Sequence, residues 1–187
     1  VSKMNKSIEQ APGITITLST PEDYEACLHV QYKAALKNYP NIEIGITADD
    51  IESDYAPYLK EEAITAEVKR LSEHAPNLNH RQFIAKENDT VIGFCDVQEE
   101  DEFNQLLSFY VDPEYQSRGV GKTLWAEAQK VLAADKPTVV HVLPYNEQAI
   151  AFYETLGFQM ATSVPEDSGT LMPSGAVMPK PVLMIRQ

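Results

Sequence analysis

Apolar residues that alternate with polar ones, or form short runs, predict the strands of this chain. Ile14–Leu18 alternates isoleucine and leucine with threonine and predicts a half-buried or edge strand. Residues 82–86 and 91–97 predict two more strands, and the intervening Glu-Asn-Asp-Thr at 87–90 is typical of a β-hairpin. Gly93 inside the second of them predicts close packing or a bulge. Further strands are predicted at 105–111, 137–143, 158–163 and 182–186.

Apolar residues recur at helical spacing in four other stretches. These predict helices over 22–37, 48–72, 119–133 and 147–156. Thr20 should be the N-cap of the first helix. It is followed by a proline and by two acidic residues, which interact favourably with the positive end of the helix dipole. Pro57 should divide the second stretch into two helices or kink it. Gly157 should end the last helix.

The order of these elements indicates the fold class. One strand, then helices, three antiparallel-type strands, a helix, a strand, a helix and a final strand pair indicate an α+β or mixed α/β layout, not a doubly wound sheet. A length of 187 residues suits a single domain, which we place at 14–187 after a flexible polar segment at 1–13. Residues 165–181, rich in proline, glycine and serine, predict a long loop or an excursion over one face.

The composition argues against binding to nucleic acids and against insertion into a membrane. Asp and Glu number 28 against 15 Lys and Arg, so the formal net charge of -13 should repel phosphate backbones. No apolar run approaches the roughly 20 residues that a membrane-spanning helix needs. The acidic runs at 49–54 and 99–102 are typical of solvated surface, although such a rim would also attract a cationic substrate.

The cysteines and histidines indicate neither a disulfide framework nor a metal site. Cys27 and Cys95 are the two cysteines, and their apolar or mixed surroundings predict buried reduced thiols. Together with the lack of a secretory signal, they favour a cytoplasmic location. The four histidines show no metal-ligand spacing with cysteine or carboxylate, so no structural zinc is expected.

The most informative local motif is Gln-Ser-Arg-Gly-Val-Gly at 116–121, between a predicted strand and a predicted helix. The first amides of a helix lack intrahelical partners and its dipole is positive at this end, so the motif predicts a phosphate-binding turn. Gly119 and Gly121 allow close approach of the backbone, while Arg118 and Lys122 add positive charge.

Spacing excludes two other nucleotide-binding motifs. A Rossmann fingerprint needs a third glycine and a position near the first strand, and here the glycines come late in the chain. A P-loop would need a glycine at Tyr115 or Gln116 ahead of Gly121, Lys122 and Thr123. The phosphate-binding turn therefore belongs to another class of site.

Two segments resemble the motifs of a known family. Residues 106–121 resemble the acetyl-CoA motif of the GNAT superfamily of N-acetyltransferases, whose core is Gln/Arg-x-x-Gly-x-Gly/Ala. Residues 146–158 resemble the second family motif, in which an asparagine precedes an alanine, Phe-Tyr and a final Gly-Phe. The resemblance implies an α+β acyltransferase fold with a twisted, mostly antiparallel sheet of about seven strands flanked by helices.

The same resemblance implies acetyl-CoA as a cosubstrate, and the histidine spacing above predicts no metal. The strand before the turn would pair its backbone with the pantetheine amides, and the turn would hold the pyrophosphate. Asn146 would bond the pantetheine arm, cap the following helix, or do both. The implied coenzyme-binding residues are Phe109, Tyr110, Val111, Gln116, Ser117, Arg118, Gly119, Val120, Gly121, Lys122 and Asn146.

The resemblance also implies catalytic roles. Tyr153 matches the tyrosine that protonates the departing coenzyme A thiolate, and a core aromatic is the alternative interpretation. His141 lies five residues before Asn146, where related ribosomal-protein alanine acetyltransferases carry a glutamate base. It is expected to accept the amine proton, with a hydrogen-bonded strand histidine as the alternative. The other candidates for the base are Glu99, Glu100 and Glu102.

The expected function is transfer of acetyl from acetyl-CoA to a primary amine by direct attack in a ternary complex. A non-catalytic acyl-CoA-binding sensor or interaction module is the alternative, because fold does not dictate function. The acceptor would be a small-molecule amine or a peptide N-terminus, and the acidic surface favours a cationic one. The terminal strands offer a surface for a homodimer.

Overall fold

The computed structural model describes residues 13–74, 77, 79–161 and 169–187. The segment 1–13, predicted to be flexible, lies outside this range except for Gly13. The helices of the described part are α1 Tyr24–Asn38, α2 Ala48–Tyr55, α3 Glu61–Glu73, α4 Val120–Ala128 and α5 Glu147–Thr155. Its strands are β1 Ile14–Leu18, β2 His80–Glu87, β3 Thr90–Glu99, β4 Asn104–Val111, β5 Thr138–Val142, β6 Gln159–Met160, β7 Gly169–Leu171, β8 Val177–Pro179 and β9 Val182–Arg186.

Seven strands form one sheet in the order β1-β2-β3-β4-β5-β9-β6. All neighbours in this sheet are antiparallel except β4 and β5, which run parallel. The predicted α+β layout with a mostly antiparallel sheet is therefore confirmed. β7 and β8 form a separate two-stranded sheet, and Pro57 lies between α2 and α3, as predicted.

Helices cover both faces of the large sheet, because its strands carry apolar residues on both sides. On one face, α4 and α5 contribute Leu124 and Tyr153 to the main core. On the other face, α1 packs through Val30 against Ile84 and Phe94 of β2 and β3. Both cysteines are buried free thiols, as predicted.

The hairpin of β2 and β3 turns at Asn88 and Asp89, whose φ angles are 48° and 65°. Asparagine and aspartate tolerate this left-handed region, and two such residues give a tight turn that matches the twist of the strands. The close packing predicted at Gly93 is present, because a Cβ there would lie 2.9 Å from the Tyr110 carbonyl oxygen of the neighbouring strand β4. A register shift in the facing strand β2 lies beside it.

The end of α4 differs from the prediction. The helix ends at Ala128 and not at 133, and Val131, inside the stretch predicted to be helical, is 46% exposed. The cause is Asn104 at the start of β4. Its side chain accepts a hydrogen bond from the Ala133 N–H at 3.1 Å and donates one to the Ala133 carbonyl at 2.9 Å. These bonds replace helical partners and hold the segment in a non-helical conformation.

Two C-terminal predictions also need correction. The strand predicted at 158–163 is the two-residue β6, and residues 162–168 lie outside the described part. The long loop predicted at 165–181 contains β7 and β8, and Met172 between them is buried against α1 and α2. The described part of this segment therefore forms a short hairpin packed against α1 and α2. The hairpin was not predictable, because strands of three residues are too short to produce a recognisable period in the sequence.

The buried carboxylate of Asp50 ties the β7–β8 hairpin to α2. It accepts hydrogen bonds from the N–H and the hydroxyl of Thr47, both at 2.9 Å, and from the Ser174 N–H at 2.8 Å. These bonds lower the pKa of Asp50 to about 2. The group is therefore charged at neutral pH, where it accepts all three hydrogen bonds.

Replacing Asp50 with Asn should lower the melting temperature at pH 7 by about 5 °C, because the amide NH₂ cannot accept hydrogen bonds. Since folding lowers this pKa, the contribution of the charge is complete above about pH 4 and is lost as the pH falls toward 2. The difference between the two melting temperatures should therefore close on acidification. Asp49→Asn, at an exposed neighbouring position, is the control. An Asp50→Asn protein that melts with the wild type at pH 7 would contradict this role.

Among the described residues, no helix is both long enough and apolar enough to cross a bilayer. Over the same part of the chain, no three His, Cys, Asp or Glu side chains lie close enough together to hold a metal ion.

Candidate active site

The parallel strands β4 and β5 open into a V. Their pairing runs from Asn104 opposite Thr138 to Leu106 opposite Val140 and stops there. β4 continues to Val111, still paired on its other edge with β3. A cleft of about 760 Å³ passes through the opening. A concave site of this size is typical of small-molecule and cofactor binding.

The free edge of β4 presents backbone groups to this cleft. Phe109, Tyr110 and Val111 pair with β3 on one side and line the cleft on the other. Because they lie beyond the last pair with β5, the N–H and C=O groups on their cleft edge have no strand partner. An extended ligand that carries amides can pair with such an edge.

The turn after β4 brings backbone amides together at another part of the cleft. Ser117 and Gly119 adopt φ angles of 63° and 84°, and Gly119 directly precedes α4. The Thr123 N–H bonds to the Gly119 carbonyl at 3.0 Å. The preceding amides of α4, from Val120 to Lys122, therefore have no acceptor within the helix. With the positive end of the helix dipole, they form an anion site.

Most of the predicted coenzyme-binding residues line this one cleft. They are Phe109, Tyr110, Val111, Gln116, Ser117, Gly119, Val120, Gly121, Lys122 and Asn146. Arg118 is not among them, because its guanidinium pairs with Glu87 and lies 4.9 Å from the centroid of the Tyr115 ring. The carboxylate at the end of β2 thus binds the charge that the sequence pattern assigned to the anion site.

The absence of a side chain at Gly121 also allows α5 to pack closely against α4. A Cβ at this position would come within 2.9 Å of the Phe152 ring. That ring lies 5.2 Å from the ring of Phe109, centroid to centroid. The second glycine of the motif therefore makes room for an aromatic side chain of the cleft wall, a reason that the sequence pattern does not reveal.

Gln116, the first residue of the phosphate-binding turn, is held from three sides. Its side-chain N–H donates to the Val111 carbonyl at 3.3 Å. Its Oε1 accepts hydrogen bonds from Gln148 at 3.2 Å and from the Lys37 ammonium at 2.8 Å. Lys37 belongs to the last turn of α1, and a helical pattern gives no signal of which distant loop such a side chain reaches.

Tyr153 of α5 lies in the cleft wall and is only 6% exposed. Its ring packs edge-on against Phe109 at 6.4 Å and lies 5.7 Å from Phe158, centroid to centroid. No described residue hydrogen-bonds its hydroxyl, and burial raises the pKa of Tyr153 well above the ordinary value. The phenol therefore keeps its proton at neutral pH and can act as a proton donor.

His141 and Asn146 flank the same opening from β5 and α5. His141 follows Val140, the last residue of β5 paired with β4, and its exposed side chain lines the cleft. The side-chain oxygen of Asn146 accepts the Ala149 N–H at 3.1 Å, so the predicted helix cap is present. Its amide nitrogen remains as a donor, and the predicted bond to a pantetheine arm stays a prediction.

The acidic candidates for a base lie away from the cleft. Glu99 pairs with Lys136 at 2.7 Å, and Glu100 accepts a hydrogen bond from Gln98. Glu99 is the last residue of β3 and Glu100 follows it, beside the start of β4, where β4 and β5 are still paired. Glu102 is exposed in the turn that follows. None of the three lines the cleft, so the histidine of β5 is the better-placed candidate.

At its α1 end, the cleft is lined by aromatic and neutral polar side chains. The hydroxyls of Tyr39 and Tyr110 lie 2.9 Å apart, and Asn38 lines the cleft with them. Among the described residues of the lining, Lys122 carries the one fixed charge and none is a carboxylate. The acidic runs at 49–54 and 99–102 therefore do not reach the cleft.

Comparison with known proteins gives one family match. The sequence model described as "Acetyltransferase (GNAT) family" matches residues 48–158. The match contains the free edge of β4, the anion site and Tyr153, and it begins after α1. No curated protein sequence matches the chain.

Several solved structures share the fold. The paiA N-acetyltransferase of Thermoplasma acidophilum, crystallised with coenzyme A, is 25% identical with a TM-score of 0.67, over 93% of this chain and 98% of that one. The ribosomal-protein-S18-alanine N-acetyltransferase of Escherichia coli is 21% identical with a TM-score of 0.59, over 92% of each chain. An acetyltransferase of Thermus thermophilus is 19% identical with a TM-score of 0.60, over 94% of this chain and 97% of that one.

Proposed function

Because this chain belongs to the GNAT family of acetyltransferases, we propose that it transfers the acetyl group of acetyl-CoA to a primary amine by direct attack in a ternary complex. The observation that carries the proposal is the meeting of three features in one cleft. They are the free edge of β4, the amides at the start of α4 and the buried phenol of Tyr153. The coenzyme A complex of the Thermoplasma acidophilum protein supports the same cosubstrate here.

In this proposal the chain holds acetyl-CoA chiefly by its backbone. The β4 edge at Phe109 and Tyr110 pairs with the amides of the pantetheine arm, and Asn146 donates a further hydrogen bond to it. The amides from Ser117 to Lys122 bind the pyrophosphate. The V between β4 and β5 receives the thioester.

The proposed chemistry needs a proton acceptor and a proton donor. The amine nitrogen attacks the thioester carbonyl carbon, a C–N bond forms and the C–S bond breaks. His141 accepts the proton that the nitrogen releases, directly or through a water molecule. Tyr153 donates its phenolic proton to the departing sulfur, so coenzyme A leaves as a thiol. A backbone N–H of β4 near Val111 stabilises the negative charge that develops on the carbonyl oxygen.

We propose a small-molecule amine or a peptide N-terminus as the acceptor. Tyr39, Tyr110 and Asn38 can hydrogen-bond the acceptor at the α1 end of the cleft. The net charge of -13 favours encounters with a cationic molecule. The described lining offers no carboxylate to hold a second ammonium group. The negative charge of the protein should therefore increase the rate at which a cationic acceptor arrives more than it strengthens the binding of that acceptor in the cleft.

Release of free coenzyme A from acetyl-CoA, measured with the purified protein and a panel of amines, tests this proposal. The panel should contain monoamines, polyamines, aminoglycosides and peptides with free N-termini, and mass spectrometry should locate the acetyl group on each product. Turnover with at least one amine, faster than hydrolysis without amine, is expected. Binding of coenzyme A without transfer to any amine would instead favour a non-catalytic acyl-CoA-binding module.

Replacing His141 with Ala should lower kcat near neutral pH about 100-fold and remove the acid limb of the pH–rate profile. A base works only when it is deprotonated, so the wild-type rate should fall on acidification, and a protein without that base should not show this fall. The measurement is kcat for the best acceptor across about pH 5 to 9. His29→Ala, at an exposed position outside the cleft lining, is the control. An acid limb that persists in His141→Ala would place the base elsewhere.

A further inference from the structure

We infer that Lys37, in the last turn of α1, is a further binding residue for the pyrophosphate of coenzyme A, and that Gln116 positions its ammonium group. The inference rests on the proposed function, because it requires coenzyme A in the cleft. Lys37 lies outside both sequence motifs and before the residues that the family match covers. The link between Lys37 and the anion site is therefore its hydrogen bond to Gln116, and no sequence motif indicates it.

Lys37 is linked to the anion site through one hydrogen bond to Gln116. Its Nζ donates to Oε1 of Gln116 at 2.8 Å, and Gln116 directly precedes the amides that begin at Ser117. Gln148 and the Val111 carbonyl hold the Gln116 amide group on its other sides. An ammonium group carries three N–H donors, so two remain for the oxygens of a phosphate.

Two neighbouring cations are neutralised by carboxylates, whereas Lys37 and Lys122 form no ion pair with a described carboxylate. Lys33, one helical turn earlier, pairs with Asp112 at 2.9 Å, and Arg118 pairs with Glu87. Among the described carboxylates, none forms an ion pair with Lys37. Lys37 itself is not part of the cleft lining, but Gln116, which holds its ammonium group, is. In a chain of net charge -13, a lysine held by the residue that precedes the amides of the anion site offsets the repulsion that two phosphate charges would meet.

Stabilisation of α1 is the alternative role for Lys37. A cation in the last turn of a helix interacts favourably with the negative end of its dipole, and Lys37 occupies that position. This role would affect the melting temperature and would not distinguish ligands with a pyrophosphate from ligands without one. A series of ligands therefore separates the two roles.

Binding of coenzyme A, 3′-dephospho-coenzyme A and pantetheine to wild type and Lys37→Ala tests the inference. Calorimetry suits the first two ligands, and an NMR titration reaches the weaker affinity of pantetheine. Loss of one charge-assisted contact should weaken both pyrophosphate ligands about tenfold and leave pantetheine unchanged. Lys37→Arg, which keeps the charge, should recover most of the affinity. Lys60→Ala, at an exposed lysine outside the cleft, controls for the change in net charge.

Each contrary outcome has a distinct signature. Unchanged affinity of Lys37→Ala for 3′-dephospho-coenzyme A overturns the inference, even where coenzyme A itself binds more weakly. An equal loss for pantetheine also overturns it, because the residue then acts on the shape of the cleft. Wild-type protein that does not bind coenzyme A overturns the proposed function itself, and this result precedes any comparison of variants. Lys37→Met replaces Lys37→Ala if the alanine protein melts early.

A double-mutant cycle tests the positioning role of Gln116. Gln116→Ala should weaken the binding of coenzyme A, and the further loss caused by Lys37→Ala should be smaller on that background than in wild type. Fully additive losses would mean that Lys37 reaches the phosphate without Gln116 and would overturn the positioning role.

Discussion

Tyr153→Phe is expected to lower kcat for acetyl transfer about 100-fold, with the affinity for coenzyme A and the melting temperature unchanged. The substitution removes the proposed proton donor to the departing sulfur. No described residue hydrogen-bonds this hydroxyl, so its removal breaks no hydrogen bond within the described part of the chain. The ring contacts with Phe109 and Phe158 are retained. A loss of kcat without a loss of affinity or stability would therefore identify the hydroxyl of Tyr153 as a participant in the proton transfer.

The measurement is kcat at saturating acetyl-CoA, beside a titration with coenzyme A and a melting curve. Tyr145→Phe is the matched control, because its hydroxyl donates to the Tyr39 carbonyl at 2.9 Å and the residue lies outside the cleft lining. That control should keep its kcat. Burial raises the pKa of Tyr153, so ionisation of this phenol should not reduce the wild-type rate below about pH 10. Wild-type turnover in Tyr153→Phe would leave the tyrosine with a packing role alone.

Gly119→Val is expected to weaken the binding of coenzyme A about 100-fold or more and to reduce the free energy of unfolding by about 1–2 kcal/mol. Gly119 has a φ angle of 84°, in a region that β-branched residues avoid. The turn must therefore rearrange to admit valine. This rearrangement moves the amides from Ser117 to Lys122, to which we assign the pyrophosphate.

Gly175→Val separates backbone strain from damage to the anion site. Gly175 has a φ angle of 88° in the turn between β7 and β8, and a Cβ there would meet no atom within 4 Å. The two substitutions thus impose the same kind of strain at different places. Gly175→Val should lose similar stability and keep its affinity for coenzyme A. A Gly119→Val protein that is folded and binds coenzyme A as tightly as wild type would remove the assignment of the anion site.

The sequence patterns located the strands and helices wherever burial repeats locally along the chain. β1 and β9 have the predicted bounds, and the α2–α3 break falls at Pro57. The errors have tertiary causes. α4 ends early because Asn104, from another element, hydrogen-bonds the backbone of Ala133. No local pattern contains that contact.

In the candidate site, too, the features that depend on neighbouring residues in the sequence could be predicted, and those that depend on distant residues could not. The phosphate-binding turn was predictable because a glycine with positive φ before a helix is a local requirement, and Gly119 meets it. Lys122 lines the cleft as its place in the motif predicts, but the placement of the other two cations was not predictable. Arg118 lies within the motif and pairs with Glu87 instead, while Lys37 reaches Gln116 across 79 positions of sequence. The direction in which a side chain leaves a turn depends on partners that the motif does not contain.

A crystal structure of the protein with coenzyme A would show whether the cleft between β4 and β5 is the coenzyme site. The pantetheine arm is expected between β4 and β5, hydrogen-bonded to the β4 backbone from Phe109 to Val111. The pyrophosphate is expected on the amides from Ser117 to Lys122, and the sulfur within about 3.5 Å of the Tyr153 hydroxyl. Coenzyme A bound outside this opening, or bound there with its pyrophosphate away from the start of α4, would contradict the assignment of the cleft.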